Sequence, residues 1–492
     1  MAMISLANLS FAHEGGQPIF DNISLQLDTS WKLGLVGRNG RGKTTFLKLL
    51  LGELTASGSI STPVNMEYFP YAVADTAQNG LAVAKSICRD LEVWELEREA
   101  SLLDLSLETL ERSFRSLSGG EATKLLLAAL FLRGDNFLLI DEPTSHLDAR
   151  ARQAVGAYLR SKKGFILVSH DRSLLDSCID HVLSINRTSV ELQRGNFSSW
   201  QENRERQNKC EAAENDRLQK DIARLEQSAR RSAEWSRTAE KGKFGNGPVD
   251  RGFIGHKAAK MMQRAKSVEA RRNKGVEEKA QLLRNLENEA PLSMRTLTFH
   301  SKRLAECREI GVSYGKNTVL RNITFSLMQG ERLALCGKNG SGKSTLLKLL
   351  VGQPVDFQGT LYLPKALRVS YVPQDTSFLA GKLKNFARER GIDENLFRAV
   401  LHRFGFERKQ CDTDMAEFSA GQKKKVLLSA SLCEEAHLYV WDEPLNFIDV
   451  LSRMQIETLI RQYQPTMVLV EHDRMFLQEV ATNTLNLEDN EY

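Results

Sequence analysis

Hydrophobic and polar positions divide the chain into two similar stretches around a different middle. In the first stretch, short apolar runs such as WKLGLVG (31–37) and NFLLIDEP (136–143) end at Gly, Asp or Pro and are typical of buried strands. TFLKLLLG (45–52), directly after the first run, has the spacing of a helix. Strands that alternate with helices predict an α/β fold with a mainly parallel sheet.

The same motifs occur twice and in the same order. The pairs are GRNGRGKT (37–44) and GKNGSGKS (337–344), LSGGE (117–121) and FSAGQ (418–422), and FILVSHD (165–171) and VLVEHD (468–473). Their offset stays close to 300 residues, which indicates a tandem duplication. We therefore predict one domain over 1–197 and a second over 292–492.

The middle, 198–291, has a different pattern. Long runs without proline, rich in Glu, Arg, Lys, Gln and Ala, are interrupted by the glycine-rich stretch 241–256. This predicts two long helices joined at a tip loop, a helical hairpin. Apolar residues at 4-3-4 spacing predict an antiparallel seam near the base of the hairpin. They are Leu218, Ile222, Leu225 and Ala229 on one helix and Val276, Ala280 and Leu283 on the other.

Charge distinguishes the hairpin tip from the rest of the chain. The chain carries a net charge of +5, yet residues 224–274 contain 14 Lys and Arg against 5 Asp and Glu, so the remainder is net acidic. A basic end on an elongated arm favours contact with a polyanion such as RNA, with aromatic rings stacking on bases. A solvated helix face and a flexible connector are the plainer alternatives. The predicted RNA-contacting residues are Arg237, Lys241, Lys243, Phe244, Arg251, Phe253, Lys257, Lys260 and Arg264.

Composition excludes several classes of protein. No apolar run approaches the ~18–20 residues that span a bilayer, and the seven cysteines are scattered without a CxxC pair. We expect a cytoplasmic protein without disulfides and without a membrane segment.

The motif GxxxxGK[ST] between a strand and a helix predicts a phosphate-binding loop (P-loop) in each copy. Its glycines turn backbone amides toward phosphates, its lysine supplies a positive charge, and its hydroxyl residue reaches Mg²⁺. The first loop offers Gly37, Asn39, Gly40, Gly42, Lys43, Thr44 and Thr45, and the second offers Gly337, Asn339, Gly340, Gly342, Lys343, Ser344 and Thr345.

Three further features complete the predicted chemistry. Ser118, Gly119 and Gly120 open a helix whose N-terminus suits a γ-phosphate. Each strand that ends in an acidic pair provides a residue for Mg²⁺ and a general base that polarises the attacking water. The metal residues are Asp141 and Asp442, the bases Glu142 and Glu443, and the γ-phosphate sensors His170 and His472.

In type, order and spacing these motifs resemble the ABC ATPase family. The resemblance implies that each ATP lies between the P-loop of one domain and the signature of the other, here within a single chain. Site one would pair Lys43 with Ser419 and Gly421, and site two would pair Lys343 with Ser118 to Gly120. The family also places Tyr314 on adenine and Gln374 near Mg²⁺. At the matching points the first copy has His13 and Tyr71, and the second signature has Ala420 where glycine is usual.

Two such domains joined by a charged helical linker resemble the ABC-F translational ATPases. DEPLNFID (442–449), FSAGQKKK (418–425) and RGFIGHKAAKMMQRAK (251–266) are similar to the antibiotic-resistance branch, Lsa-type proteins above all. The resemblance implies a partner in the bacterial ribosome, entered at the E site. There the linker would act on the P-site tRNA and the peptidyl-transferase centre, against lincosamides, streptogramin A and pleuromutilins. It implies neither DNA nor a membrane as partner. A housekeeping translation factor and the ATPase subunit of an efflux transporter are the alternatives.

Overall fold

The computed structural model describes residues 2–13, 18–134, 136–144, 147–186, 189–207, 293–315, 317–338, 340–406, 410–446 and 448–487, with isolated positions between 208 and 220. The elements below belong to one compact unit formed by Met1–Trp200 and Ala290–Tyr492. Several predictions fall outside the described residues. They concern the tip loop 241–256, the apolar seam of the hairpin, all nine predicted RNA-contacting residues from Arg237 to Arg264, and Asn339.

The first half alternates strands and helices as its apolar pattern predicts. Its strands are β1 (Met3–Ala12), β2 (Pro18–Asp28), β3 (Lys32–Gly37), β4 (Ser57–Ser61), β5 (Asn65–Phe69), β6 (Asn136–Asp141), β7 (Phe165–Val168), β8 (His181–Ile185) and β9 (Val190–Arg194). Its helices are α1 (Lys43–Leu50), α2 (Gly80–Ile87), α3 (Val93–Leu102), α4 (Glu108–Glu111), α5 (Gly119–Leu132), α6 (Ala149–Ser161) and α7 (Arg172–Cys178).

The second half repeats this succession. Its strands are β10 (Arg303–Tyr314), β11 (Asn317–Met328), β12 (Arg332–Cys336), β13 (Gln358–Tyr362), β14 (Val369–Val372), β15 (Leu438–Asp442), β16 (Met467–Val470) and β17 (Asn483–Asn486). Its helices are α8 (Lys343–Leu350), α9 (Leu383–Glu389), α10 (Glu394–Arg403), α11 (Ala420–Cys433), α12 (Val450–Tyr463) and α13 (Arg474–Val480).

Each half contains a small antiparallel sheet and a larger, mainly parallel one. The orders are β2-β1-β4 and β5-β6-β7-β3-β8-β9 in the first half, and β11-β10-β13 and β14-β15-β16-β12-β17 in the second. The central parallel strands, such as β3, β7 and β15, are buried on both faces, which explains their nearly continuous apolar sequences. The predicted α/β class is confirmed.

The strand order brings the predicted nucleotide-binding and catalytic residues to one edge of each larger sheet. In the first half β3 lies beside β7, and β7 lies beside β6, all parallel. Their carboxyl ends therefore meet at the same edge, where the P-loop, the acidic pair and the histidine follow. The second half has the same arrangement of β12, β16 and β15.

The two halves pack against each other inside this unit. Val450 and Leu451, at the start of α12, join the hydrophobic core of the first half. Arg172, at the start of α7, forms an ion pair of 2.6 Å with Glu457 of α12, and both side chains are mostly buried. No helix among the described residues has both the length and the apolar character needed to cross a membrane.

Candidate nucleotide sites

The first P-loop turns sharply between β3 and α1. Gly40 and Gly42 adopt positive φ angles of 81° and 90°, a backbone conformation that favours glycine. Lys43 is buried, and its amino group donates to the carbonyl oxygens of Gly37 (2.8 Å) and Arg38 (3.3 Å), inside the loop. Burial lowers the pKa of Lys43, while the nearby carboxylates of Asp449, Glu142 and Asp141 act in the opposite direction. A lysine held among acceptors inside a glycine-rich turn fits the phosphates of a nucleotide.

The second P-loop has the same geometry. Gly340 and Gly342 have φ angles of 87°, and Lys343 donates to Gly337 O (2.8 Å) and Lys338 O (2.7 Å). The duplication predicted from the sequence is therefore present in three dimensions.

Hydroxyl and carboxylate oxygens meet beside each P-loop. Thr44 Oγ1 donates to Asp141 Oδ2 at 3.0 Å, and Tyr68 also donates to that oxygen at 3.0 Å. In the second half, a hydrogen bond from Ser344 lowers the pKa of Asp442, but burial outweighs it and the pKa is raised. Asp442 Oδ1 is buried with no hydrogen-bond partner among the described residues.

These oxygen donors fit Mg²⁺, a hard cation that keeps waters and phosphate oxygens among its ligands. In the described part of the chain no group of three or more His, Cys, Asp or Glu side chains could hold a metal ion. A hydroxyl and a single carboxylate at each site therefore suit an ion whose other ligands come from the nucleotide and from water. Gln374, predicted near this ion, is exposed, and Tyr71 at the matching point of the first half packs on the hydrophobic core.

Both halves of the chain line one large cavity at site one. It measures about 910 Å³, within the range of about 300–1,000 Å³ typical of ligand pockets. The first half contributes its P-loop, Thr44, Thr45, Asp141, Glu142 and His170, and the second half contributes the signature residues 419–422. The predicted members of site one thus lie around a single space.

Hydrogen bonds join the two halves beside this cavity. The amide of Asn39 donates to Asp449 Oδ2 at 3.3 Å, and Arg38 Nη1 donates to Arg403 O at 3.5 Å. Asp449 uses its other oxygen to cap α12, accepting from Ser452 N at 2.9 Å. One carboxylate therefore fixes both the start of a helix and the P-loop of the other half.

Both signature motifs are capped helix N-termini. Ser118 Oγ accepts from Glu121 N at 3.2 Å, and Ser419 Oγ accepts from Gln422 N at 3.3 Å. In each case the side chain of the fourth residue accepts from the serine amide, which completes a capping box. For site two, the pairing of Ser118, Gly119 and Gly120 with the second P-loop stays a prediction.

The two predicted catalytic glutamates have different surroundings. Glu142 Oε1 lies 3.3 Å from His170 Nε2, and Glu443 Oε1 lies 3.6 Å from His472 Nε2. Glu443 Oε2 also accepts from Asn446 Nδ2 at 2.6 Å. Both glutamates have positive φ angles, 51° and 47°, which is strained for a residue other than glycine.

The pKa values of the two glutamates are shifted in opposite directions. Burial, and then the charge of Asp141, raises the pKa of Glu142 above its usual range, against the pull of Arg453 and Lys43. Burial also acts to raise the pKa of Glu443, but hydrogen bonds from His472 and Asn446 outweigh it and the pKa is lowered. Burial, Lys43 and Arg453 hold the pKa of His170 well below its ordinary value.

The base-binding positions also differ. Tyr314 ends β10 with 52% of its surface exposed, as a ring that stacks on a ligand requires. His13 lines the cavity of site one and contacts Phe11 edge to face, with ring centroids 5.1 Å apart. Both positions are therefore open to a base, one through a phenol and the other through an imidazole.

Several residues at these sites were not predicted from the sequence. Arg453 and Lys425 of the second half influence the charges at site one, together with Asp449. Asp449 and Arg453 recur in the first half as Asp148 and Arg152, with the same spacing of one helical turn. This repeated Asp–Arg pair is the sequence signal that could have identified Asp449 and Arg453 as site residues.

Comparison with known proteins agrees with the duplicated fold. The sequence model of the ABC transporter family matches residues 20–145 and 320–446, which together form just over half of the chain. The ribosome protection protein VmlR of Bacillus subtilis is 29% identical over 99% of this chain and 87% of its own length. The ATP-binding protein Uup of Caulobacter vibrioides is 28% identical over 96% of this chain and 76% of its own length.

Solved structures show the same fold at lower identity. The archaeal ribosome recycling factor aABCE1, solved with the stalk protein aP1, superposes with a TM-score of 0.63 at 19% identity, over 97% of this chain and 86% of its own. RNase-L Inhibitor superposes with a TM-score of 0.59 at 20% identity, over 93% and 83%. The predictions of two tandem ABC-type domains, of a resemblance to ABC-F proteins, and of ATP hydrolysis with ATP and Mg²⁺ are confirmed by these matches.

Proposed function

This chain belongs to the ABC transporter family, and from that premise we propose that it is an ATPase of the bacterial ribosome. The similarity to a ribosome protection protein along nearly the whole chain carries the proposal. The basic excess of residues 224–274, on an otherwise acidic chain, supports it, because a polyanion such as rRNA or tRNA attracts such a segment.

In this proposal, ATP binding closes the two halves and hydrolysis lets them open. Site one is lined by both halves, so a nucleotide held there would contact Lys43 on one side and Ser419 on the other. Mg²⁺ would neutralise phosphate charge beside Thr44 and Asp141. Glu142 would take a proton from the attacking water, and His170, whose Nε2 lies 3.3 Å from Glu142 Oε1, would orient its carboxylate. Binding energy would thus drive closure, and turnover would set the time spent bound.

We further propose that the closed protein occupies the ribosomal E site in the cytoplasm. The linker 198–291 would act on the P-site tRNA and the peptidyl-transferase centre. Its tip, 241–256, would protect against lincosamides, streptogramin A and pleuromutilins, with Phe244 and Phe253 stacking on RNA bases.

A housekeeping translation factor is the second candidate function. Uup, named as an ATP-binding protein, matches this chain about as well as VmlR does. Both candidate functions include ribosome binding. They differ in whether the linker tip also protects the ribosome against drugs.

Two experiments separate these functions. Glu142→Gln with Glu443→Gln should sediment with salt-washed ribosomes when ATP is present, because closure is retained and hydrolysis is not. Recovery in the membrane fraction instead would favour the efflux alternative. Expression in a drug-sensitive host should raise the inhibitory concentrations of the three drug classes, and shortening 242–249 should abolish that effect while ATPase activity remains. Unchanged inhibitory concentrations with the full-length protein would favour the housekeeping factor.

A further inference from the structure

Two matching places at the interface between the halves differ in charge. At one of them, Arg172 at the start of α7 pairs with Glu457 of α12 at 2.6 Å. The residues that match them in the duplication are Arg474, at the start of α13, and Gly156 of α6. Because glycine has no side chain, Arg474 meets no carboxylate from α6.

A second carboxylate is missing beside the first. Arg461 of α12 pairs with Glu479 of α13 at 2.7 Å. The matching residues of the first half are Arg160 of α6 and Ser177 of α7. In the part of the chain that the structure describes, neither Arg160 nor Arg474 forms an ion pair. One place therefore has two arginines with two glutamates, and the other has two arginines alone.

A cavity of about 330 Å³ lies where the two carboxylates are missing. Arg152 and Asp171 also line it, but they pair with each other at 3.3 Å and their charges cancel. The positive charges of the two arginines are left without compensation. The matched residues that line the cavity are Gly156, Arg160, Ser177 and Arg474.

The charge and size of this cavity suit a phosphate dianion. Arginine binds phosphate oxygens through charge-assisted hydrogen bonds, often two at once from one guanidinium group. A phosphate dianion also brings the two negative charges that Glu457 and Glu479 supply at the matching place.

The cavity adjoins the second nucleotide site. His472, the predicted γ-phosphate sensor of that site, lines the cavity, and its Nε2 lies 3.6 Å from Glu443 Oε1. Phosphate produced by hydrolysis at site two would therefore be formed beside the same histidine that borders the cavity.

We propose that this cavity binds inorganic phosphate, the product of ATP hydrolysis at site two, between Arg160 and Arg474. Arg160 belongs to the first half and Arg474 to the second, so the bound phosphate joins the halves as Glu457 joins them at the matching place. This ionic link ends when the phosphate leaves, and the halves then separate more easily. The source of the phosphate rests on the proposed hydrolysis at site two, whereas its binding does not.

The first test measures phosphate binding while both nucleotide sites are filled with ATP. The full-length protein with Glu142→Gln and Glu443→Gln is kept in saturating ATP and Mg²⁺, and radiolabelled inorganic phosphate is titrated by equilibrium dialysis. We expect saturable binding to a single site. Arg160→Gln and Arg474→Gln should each raise the Kd at least about tenfold, because each removes a charge-assisted contact.

The duplication offers a matched competitor and a matched control. Ser177→Glu should also raise the Kd about tenfold, because it places a carboxylate beside Arg160 as Glu479 is placed beside Arg461. Arg461→Gln should change the Kd less than about twofold, since Arg461 lies outside the cavity. Absence of saturable binding would overturn the proposal. So would a Kd that does not respond to the arginine variants or to Ser177→Glu, or that rises equally in Arg461→Gln.

The second test follows the phosphate that site two produces. In Glu142→Gln, where only site two hydrolyses ATP, a single turnover is measured by acid quench for cleavage and by a fluorescent phosphate sensor for release. Release should lag behind cleavage, and Arg474→Gln should shorten the lag at least about threefold. The value of kcat/KM covers only the steps up to cleavage and should not report on the cavity.

The outcomes of this second test are distinct. Simultaneous cleavage and release in Glu142→Gln would overturn the assignment of the cavity to the product of site two. A Glu142→Gln protein without ATPase activity would refute the proposed role of Glu443, and the dialysis would still decide whether the cavity binds phosphate.

Discussion

Replacing Arg172 with Met removes the cation of an ion pair that joins the two halves of the ATPase. Arg172 Nη2 lies 2.6 Å from Glu457 Oε2, with the side chains 4% and 12% exposed. Burial raises the pKa of Glu457 even with this partner present. Charge pairs at interfaces show coupling energies of about 1.5–7 kcal/mol, and we take about 2 kcal/mol because the carboxyl can take up a proton when its partner is lost.

The loss of this interaction free energy should lower the rate of ATP hydrolysis, because site one needs both halves in contact. A weakening of the closed state by about 2 kcal/mol corresponds to about a 30-fold fall in kcat/KM. The assay is steady-state ATP hydrolysis over a range of ATP concentrations for the parent, Arg172→Met, Glu457→Gln and the combination. The combined variant should lose less than the product of the two single losses.

The duplication supplies a matched control for this prediction. Arg474 occupies the position of Arg172 in the second half, and Gly156 occupies the position of Glu457 in the first. Both residues line a cavity of about 330 Å³, and Arg474 is exposed. Arg474→Met should therefore change kcat/KM less than threefold. Equal losses for Arg172→Met and Arg474→Met, or strictly multiplicative losses in the cycle, would refute the reasoning.

Three further predictions follow from the described contacts. Glu142→Gln with Glu443→Gln should lower kcat at least about 100-fold in a phosphate-release assay, since the general base is lost at both sites. Tyr314→Ala in the Glu142→Gln background should raise the KM for ATP about tenfold with kcat little changed, because base stacking contributes about 1–3 kcal/mol. Glu99→Gln should destabilise the fold by about 2–4 kcal/mol at pH 7 in thermal or urea unfolding. Burial acts to raise the pKa of Glu99, but hydrogen bonds from Lys162 and Tyr158 outweigh it and the pKa is lowered. The contribution of Glu99 is therefore present above the ordinary pKa of a glutamic acid and is lost as the pH falls through the lowered pKa, where the parent and the variant should converge.

The parallel strands and the P-loops could be predicted because their causes are local. The run LGLVG (33–37) is apolar without interruption, and the glycines after it, Gly40 and Gly42, have the spacing of a P-loop. The constant offset between the copies then made each prediction in one half a check on the other. Sequence pattern was sufficient wherever a residue's role depends on its immediate neighbours.

Contacts between the halves could not be predicted, because they depend on which surfaces meet. Glu457 looks like any polar residue on the exposed face of a helix, yet it is buried against Arg172 from 285 positions away. Lys424 is buried, although it is the second residue of a KKK run (423–425), a pattern typical of a solvated helix face. Its burial follows only from the packing of α11 against β14 and β15, which no local pattern records.

The differences between the copies favour unequal hydrolysis at the two sites. At three matching positions the second half has a charged residue, Lys424, Glu471 or Glu457, where the first half has Thr, Ser or Gly. At site two, Glu443 is also held at both carboxylate oxygens, by His472 and Asn446.

Burial raises the pKa of Glu142 to about 8, whereas hydrogen bonds from His472 and Asn446 lower the pKa of Glu443 against its burial. Because a general base must be ionised to take up a proton, site two should turn over faster than site one near pH 7. Glu142→Gln, which leaves only site two active, should therefore retain more activity than Glu443→Gln under saturating ATP. A severalfold difference in that direction, measured by phosphate release with matched protein concentrations, is the expected result. Equal residual rates would mean that the different surroundings of the two glutamates do not affect hydrolysis.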